Sequence, residues 1–359
     1  MMLPITGGAL ALQTGWPLLW WLAPILVYGV IPLFDYLIGT DTNNPPEERV
    51  PSLENERYYR WAVYAAVPFE YASVIWAVWV FSTADLAWFD ALGLLISVGV
   101  VTGVSINTAH ELGHKTGAFE RWLAKLALGP VAYGHFFVEH NRGHHVRVAT
   151  PEDPASSRYG ESFYRFLPRS MIGSLKSAWE LEKSRLAKQN RSVWSLDNQN
   201  LQAWAITVVF FGALTAWLGW PALGFLLLQA FYGASLLEVV NYLEHYGLCR
   251  QKQNNGERYE RCRPEHSWNS NHIVTNIFLY HLQRHSDHHA NPTRSYQALR
   301  HFDYAPQLPS GYAGMILLAY LPPLWFRVMD PKVRAHYGND MTRANIQPEL
   351  RDAVLAGQR

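Results

Sequence analysis

The sequence predicts an all-α integral membrane protein: a bundle of five to six transmembrane helices with a His-rich cytoplasmic cap holding a two-metal site. Three observations carry this. Apolar blocks long enough to span a bilayer alternate with polar, His- and Arg-rich blocks along 359 residues. Hydrophobic residues make up 49% and charged ones 16%, below the roughly 25% charged of a soluble domain. Nine of the 15 histidines fall in four clusters, all in the polar blocks.

Residues 1–15 are mildly apolar and too short for a full crossing, and no positive n-region marks a cleavable leader. Residues 16–38 are long enough for a hydrocarbon core of about 30 Å. A charged, Pro-rich loop, D-T-N-N-P-P-E-E-R-V-P, follows. Further spans are expected at 61–81 and 86–109, joined by a short turn, and at 201–219 and 222–243, joined at Gly219–Pro221. Pro24, Pro32 and Pro68 lie inside spans, which membranes tolerate better than water does. The runs at 119–138 and 312–326 read as surface or re-entrant segments, the first with Arg121 and Lys125 at the boundary. One membrane-embedded domain over 1–359 is expected, its cap formed by 110–200 and 245–359.

Charge placement orients the bundle. Of the 30 Lys and Arg, 3 lie in 41–60, 13 in 109–200 and 14 from 245 onward, with none in the expected spans. By the positive-inside rule these segments face the cytoplasm, which puts all four histidine clusters on that side of the inner membrane. Counting 119–138 as a sixth crossing would separate His110 and His114 from the other clusters. The net charge of +1 gives no reason to expect a nucleic-acid partner. Cys249 and Cys262 match no zinc or redox spacing and read as free thiols.

The clusters are H-E-L-G-H-K (110–115), E-H-N-R-G-H-H (139–145), N-Y-L-E-H-Y-G (241–247) and L-Q-R-H-S-D-H-H-A (282–290). On a helix, His110 and His114, His140 and His144, and His285 with His288 and His289 share a face. Neutral imidazole is the commonest metal ligand, and it serves Fe, Cu and Zn alike. H-E-L-G-H also matches the zinc-peptidase signature, with two His ligands and a Glu base. A peptidase needs three protein ligands, however, and nine clustered imidazoles suit two ions. Oxygen activation against a hydrocarbon beside an apolar slab fits better than hydrolysis.

These four boxes resemble the histidine boxes of the integral-membrane alkane 1-monooxygenases. N-N-P-P-E-E (43–48), S-W-N-S-N-H (267–272) and N-P-T-R-S-Y-Q (291–297) extend the resemblance along nearly the whole chain. N-Y-L-E-H-Y-G is the most specific element, because fatty-acid desaturases and sterol oxidases share the broader pattern but lack it. Family members usually carry another complete span before the first one here.

The resemblance implies a non-haem centre of two Fe, with ligands carried onto His110, His114, His140, His144, His145, His245, His285, His288 and His289. It implies terminal hydroxylation of n-alkanes with O2 and electrons from rubredoxin, itself reduced by rubredoxin reductase. Rubredoxin holds its iron with four cysteines and this chain has two, so the donor is a separate chain. A related xylene or fatty-acyl hydroxylase or desaturase is the alternative. Adjoining acids Glu111, Glu139, Glu244 and Asp287 are expected to orient ligands. Glu70 and Glu238 are costly in a membrane and are functional candidates. His281 lies one turn before His285, while His135, His266, His272, His301 and His336 read as structural or exposed. Val27 and Leu33, with Trp20 and Trp21, are expected to shape a substrate channel, and Arg142, Arg147, Arg158, Arg165 and Arg169 to dock an acidic carrier.

Overall fold

The structure, a computed structural model, describes residues 1–253, Gly256 and 258–358. Among the described residues the long elements are all helical and the β-contacts are isolated bridges. Five of the described helices are long and apolar enough to cross a membrane: Pro17–Ile38, Arg57–Thr83, Trp88–Gly113, Gln199–Leu218 and Trp220–His245. They are numbered here as spans one to five. Spans two, three and five run past the apolar stretches that predict them, because a polar residue at a helix end costs the helix little. His110 and Glu111 therefore belong to the last turns of span three, and His245 ends span five.

Span one is not a regular helix. A 3-10 turn (Pro17–Trp21), an α turn (Leu22–Ile25), a π turn (Leu26–Val30) and an α segment (Ile31–Ile38) follow one another. Pro24 and Pro32 lack the N–H that would bond one turn back, so the ladder changes register around them. The run at 119–138 is likewise not one helix. Its longer helix is Ala118–Ala127, about 15 Å at 1.5 Å per residue, half of a bilayer core, and a short one follows at Phe136–Glu139. Gly129, Pro130 and the left-handed Ala132 (φ 52°) turn the chain between them. The second doubtful run splits into Tyr312–Ala319 and Pro322–His336, where Pro322 and Pro323 start the second helix.

The chain forms two compact units. One comprises Met1–Ile31, Asn55–Asn141 and Leu175–Leu237, and the other Pro32–Glu54, Arg142–Ser174 and Glu238–Arg359. In the first unit, spans three and five meet at glycines. A Cβ on Gly103 would lie 2.9 Å from the Gly233 carbonyl oxygen, and one on Gly233 only 2.6 Å from Thr102 Oγ1. Without a hydrophobic drive between helices in lipid, such close contact supplies the packing. Buried Gln229 secures the same crossing: its Oε1 accepts from Thr102 Oγ1 at 2.9 Å, and its Nε2 donates to the Pro130 carbonyl at 2.7 Å. Glu70 of span two accepts from Ser105 Oγ of span three at 2.6 Å, an interhelical bond that accounts for one oxygen of this buried carboxyl.

Gly233→Val is expected to destabilise the chain by about 1–3 kcal/mol, the usual cost of overpacking. Gly29→Ala, where a Cβ meets nothing within 4 Å, is expected to leave stability unchanged. Thermal unfolding of the two variants in one detergent checks the contrast.

Candidate metal centre

In the second unit, four buried histidines converge. His285 and His289 stand one turn apart on the helix His285–Ala290, His245 ends span five, and His144 closes the π turn His140–His144. Their Nε2 atoms face one another: 3.3 Å from His144 to His289, 2.8 Å from His289 to His285 and 3.2 Å from His285 to His245. Two neighbours explain why Nε2 points inward. Asp153 Oδ2 accepts from His144 Nδ1 at 2.9 Å, and the His266 carbonyl accepts from His245 Nδ1 at 3.3 Å. A carboxylate and a carbonyl can only accept, so each Nδ1 carries the proton and each Nε2 keeps a bare lone pair. Lone pairs crowded this way repel unless a cation lies among them. Donors about 2.0–2.1 Å from one ion stand about 3 Å or slightly more apart, which matches these separations.

Burial, reinforced by the neighbouring rings, pushes the His289 pKa well below the ordinary histidine value, so the ring is neutral as a ligand must be. Asp153 is fully buried, which alone would raise its pKa. His144 and the Ser156 hydroxyl, at 2.6 Å, outweigh this and hold it down to about 2. Arg169 braces the same corner: it donates to Glu161 at 2.7 and 2.8 Å and to the carbonyls of Pro154 and Ser156.

The other five histidines of the predicted set are divided between the two units. In the first unit, His110, His114 and His140 have ring centroids 4.5–5.1 Å apart, with 3.1 Å between Nε2 of His114 and His140. In the second, His145 and His288 bring Nε2 atoms to 3.0 Å.

The acids next to the histidines behave differently from one another. Glu244 Oε2 lies 3.2 Å from His285 Nε2, the inward nitrogen, while Oε1 accepts from Tyr312 at 3.0 Å. Glu244 thus stands among the donors rather than behind them. Asp287 is a correction: its carboxylate accepts from Asn291, Arg294 and the Arg300 backbone and orients no ring. It points about 100° away from its neighbour His288, because successive helical residues face different ways. Glu111 pairs with Lys115 at 2.7 Å, and Glu139 is buried. Asp153, which sequence reasoning missed, carries no signal of its own: it sits nine residues beyond His144 in an ordinary T-P-E-D-P turn.

The last cluster is held from a distance. Arg284 donates to the carbonyls of Leu299, Asp41 and Asn43, and Arg300 to Pro45 and Glu47. The His301 backbone donates to Asn44. This is the work of N-N-P-P-E-E, a segment whose polarity alone suggests a solvated loop.

His281 is half-buried and outside these groups, and His135 is buried in the first unit. His272 meets Ser270, His301 meets Asp303, and His336 lies against Trp268 and Tyr337. Glu238 accepts from Asn241. Trp20 is buried, Trp21 and Val27 are half-buried, and Leu33 is 55% exposed on span one. Of the five candidate docking arginines, Arg165 is exposed and pairs with Glu349, whereas Arg142, Arg147, Arg158 and Arg169 are half-buried.

A family model described as fatty acid desaturase matches residues 86–319. The chain is 51% identical over 333 residues to the alkane 1-monooxygenase of Acinetobacter baylyi, covering 93% of this chain and 81% of that protein. It is 51% identical over 353 residues to the alkane 1-monooxygenase of Ectopseudomonas oleovorans, covering 98% and 88%. It is 29% identical over 270 residues to the xylene/toluene monooxygenase hydroxylase component of Pseudomonas putida, covering 74% and 70%.

Replacing Asp153 by Asn is expected to weaken metal retention by about 10–100-fold, the usual effect of removing a carboxylate behind a ligand. His245→Ala is expected to lower the metal content outright. Elemental analysis during titration with a chelator separates the two.

Proposed function

Because the chain belongs to the alkane 1-monooxygenases, within the fatty acid desaturase family, we propose that it hydroxylates medium-chain n-alkanes at the terminal carbon. Dioxygen and two electrons are consumed per turnover, with the second oxygen atom leaving as water. The observation that carries the reading is the buried quartet of inward-facing imidazoles at the end of an apolar helix. We assign two iron ions to the nine histidines His110, His114, His140, His144, His145, His245, His285, His288 and His289. All-imidazole donors suit iron, and the family's chemistry calls for it.

Bound iron supplies the activation of dioxygen; the chain's own residues supply the setting. Asp153 and the His266 carbonyl keep the protons of His144 and His245 on Nδ1, so these two rings offer Nε2 lone pairs and need not reorganise when metal enters. Glu244, held by Tyr312, places a carboxylate oxygen beside His285 Nε2 and is suited to hold a proton there. Burial of the quartet keeps bulk water away from a reactive centre. n-Alkanes partition into the bilayer, so substrate enters sideways from the lipid, and half-buried Val27 on the π turn of span one is a candidate for shaping its path. The concentration of basic residues in the segments that carry the centre supports a position on the cytoplasmic side of the inner membrane. The two free cysteines cannot form a four-cysteine iron site, so a separate rubredoxin, with its reductase, delivers the electrons.

Protein purified from iron-replete cells is expected to hold about two irons and to convert an n-alkane to the 1-alkanol only with O2, rubredoxin and reductase present. Labelled O2 should deliver one atom to the alcohol. An alkene product would reassign the chain to desaturation, and turnover confined to methylbenzenes would favour the relative at 29% identity. Tightly bound zinc with no iron would end the oxygenase reading.

A further inference from the structure

The second unit contains another group of potential metal ligands. An open cavity of about 320 Å³ is lined by Cys249, Glu260, Glu265, His266, His336 and Arg343, among others. One donor atom each from Glu260, Glu265 and His266 lies within 4.8 Å of the others. His266 is buried, while the Glu260 and Glu265 side chains are 24% and 39% exposed, so an ion can reach them from water. Glu260 is fixed on a two-residue ribbon contact: its backbone N–H donates to the Gln251 carbonyl at 2.9 Å, and its Oε1 accepts from Gln251 N at 2.8 Å. His266 Nε2 lies 3.3 Å from that Oε1.

We propose that Glu260, Glu265 and His266 bind a first-row divalent transition-metal ion, separate from the histidine centre, and that this ion ties the 260–266 segment together and so stiffens the loop that holds the end of span five. The donor set is mixed. Two carboxylate oxygens and an imidazole nitrogen, with the Cys249 thiol and the His336 imidazole in the same cavity, suit zinc, iron or manganese. Calcium and magnesium take oxygen ligands and leave the imidazole without a role. The positive groups facing the cluster are Arg343, Arg263 and Arg250; Arg250 donates to the Glu260 carbonyl at 3.3 Å, and Arg263 meets Glu265 at 3.8 Å in an exposed pair of the kind that contributes little. His266 Nδ1 now accepts from the Arg263 backbone N–H at 3.0 Å. Ligation through Nε2 moves the ring proton to Nδ1 and releases that N–H to water at the exposed Arg263.

The location gives the ion a consequence. The His266 carbonyl accepts from His245 Nδ1, the Trp268 backbone donates to the Glu244 carbonyl at 2.8 Å, and the Trp268 indole donates to the Tyr246 carbonyl at 2.9 Å. Whatever stiffens this loop therefore also stiffens the mount of His245.

The test compares the full-length protein, purified in detergent with its resident metal, against Glu260→Gln/Glu265→Gln and the single Glu265→Gln. Each is equilibrated with a zinc buffer and analysed for total metal. The wild type is expected to take up one more zinc per chain than the double variant, with equal iron in both. Glu265→Gln, an exposed and structurally mild change, is expected to weaken that zinc by about tenfold or more; it decides the matter if the double variant does not fold. Hydrogen exchange over 260–268 is expected to slow with zinc in the wild type and not in the variants. Equal zinc uptake and affinity in wild type and Glu265→Gln would overturn the site. Zinc uptake without slower exchange would overturn the stiffening.

Discussion

The structure depends on four buried imidazoles whose Nε2 atoms are aimed at one another. Nε2 separations of 2.8–3.3 Å leave no room for a proton on each ring, and burial removes the water that would otherwise screen the repulsion. Two of the four rings are pinned from behind. For His144 the pin is a carboxylate, itself held by Ser156 and braced by the Arg169–Glu161 pair. For His245 it is a backbone carbonyl on a loop zipped to the end of span five. A buried polar network of this kind is worth having only when its members are satisfied, because a half-satisfied one costs more than an apolar core.

The same logic reaches out to parts of the chain that touch no histidine. Arg284 precedes His285 and donates to the carbonyls of Asp41, Asn43 and Leu299. Asp287, between two ligand candidates, anchors the loop to Arg300, and Arg300 in turn holds Pro45 and Glu47. A six-residue helix is too short to be stable alone. The helix His285–Ala290 stands because carbonyls some 240 residues away in sequence hold Arg284 at its start, while Arg294 and the Arg300 backbone hold Asp287 within it. N-N-P-P-E-E is therefore a structural partner of the last histidine cluster.

What was legible in the sequence was local. An apolar stretch of about twenty residues is a property of consecutive residues, and so is an i,i+4 histidine pair; both follow from helix geometry. The spans and the boxes could be read for that reason. The irregular backbone of span one was signalled by Pro24 and Pro32, but the π turn between them depends on how those interruptions combine. Asp153 and the His266 carbonyl were not legible. The first lies in an unremarkable turn, and the second is a backbone group that every residue possesses. Asp287 misled for the opposite reason: nearness in sequence to His288 stands for nearness in space only when the helix phase permits it.

That helix phase also explains the two His-His doublets. Successive helical residues point about 100° apart, so neighbours cannot serve one centre in the same way. His144 turns to the quartet, whereas His145 turns to His288. Likewise His289 joins the quartet while His288 joins His145. Each doublet thus feeds two groups of donors from a single turn of helix. Two such doublets facing each other fix the spacing between those groups more rigidly than separate loops would. A single i,i+4 pair provides two ligands on one face, whereas each doublet divides its rings between two groups of donors, and helix phase is the reason.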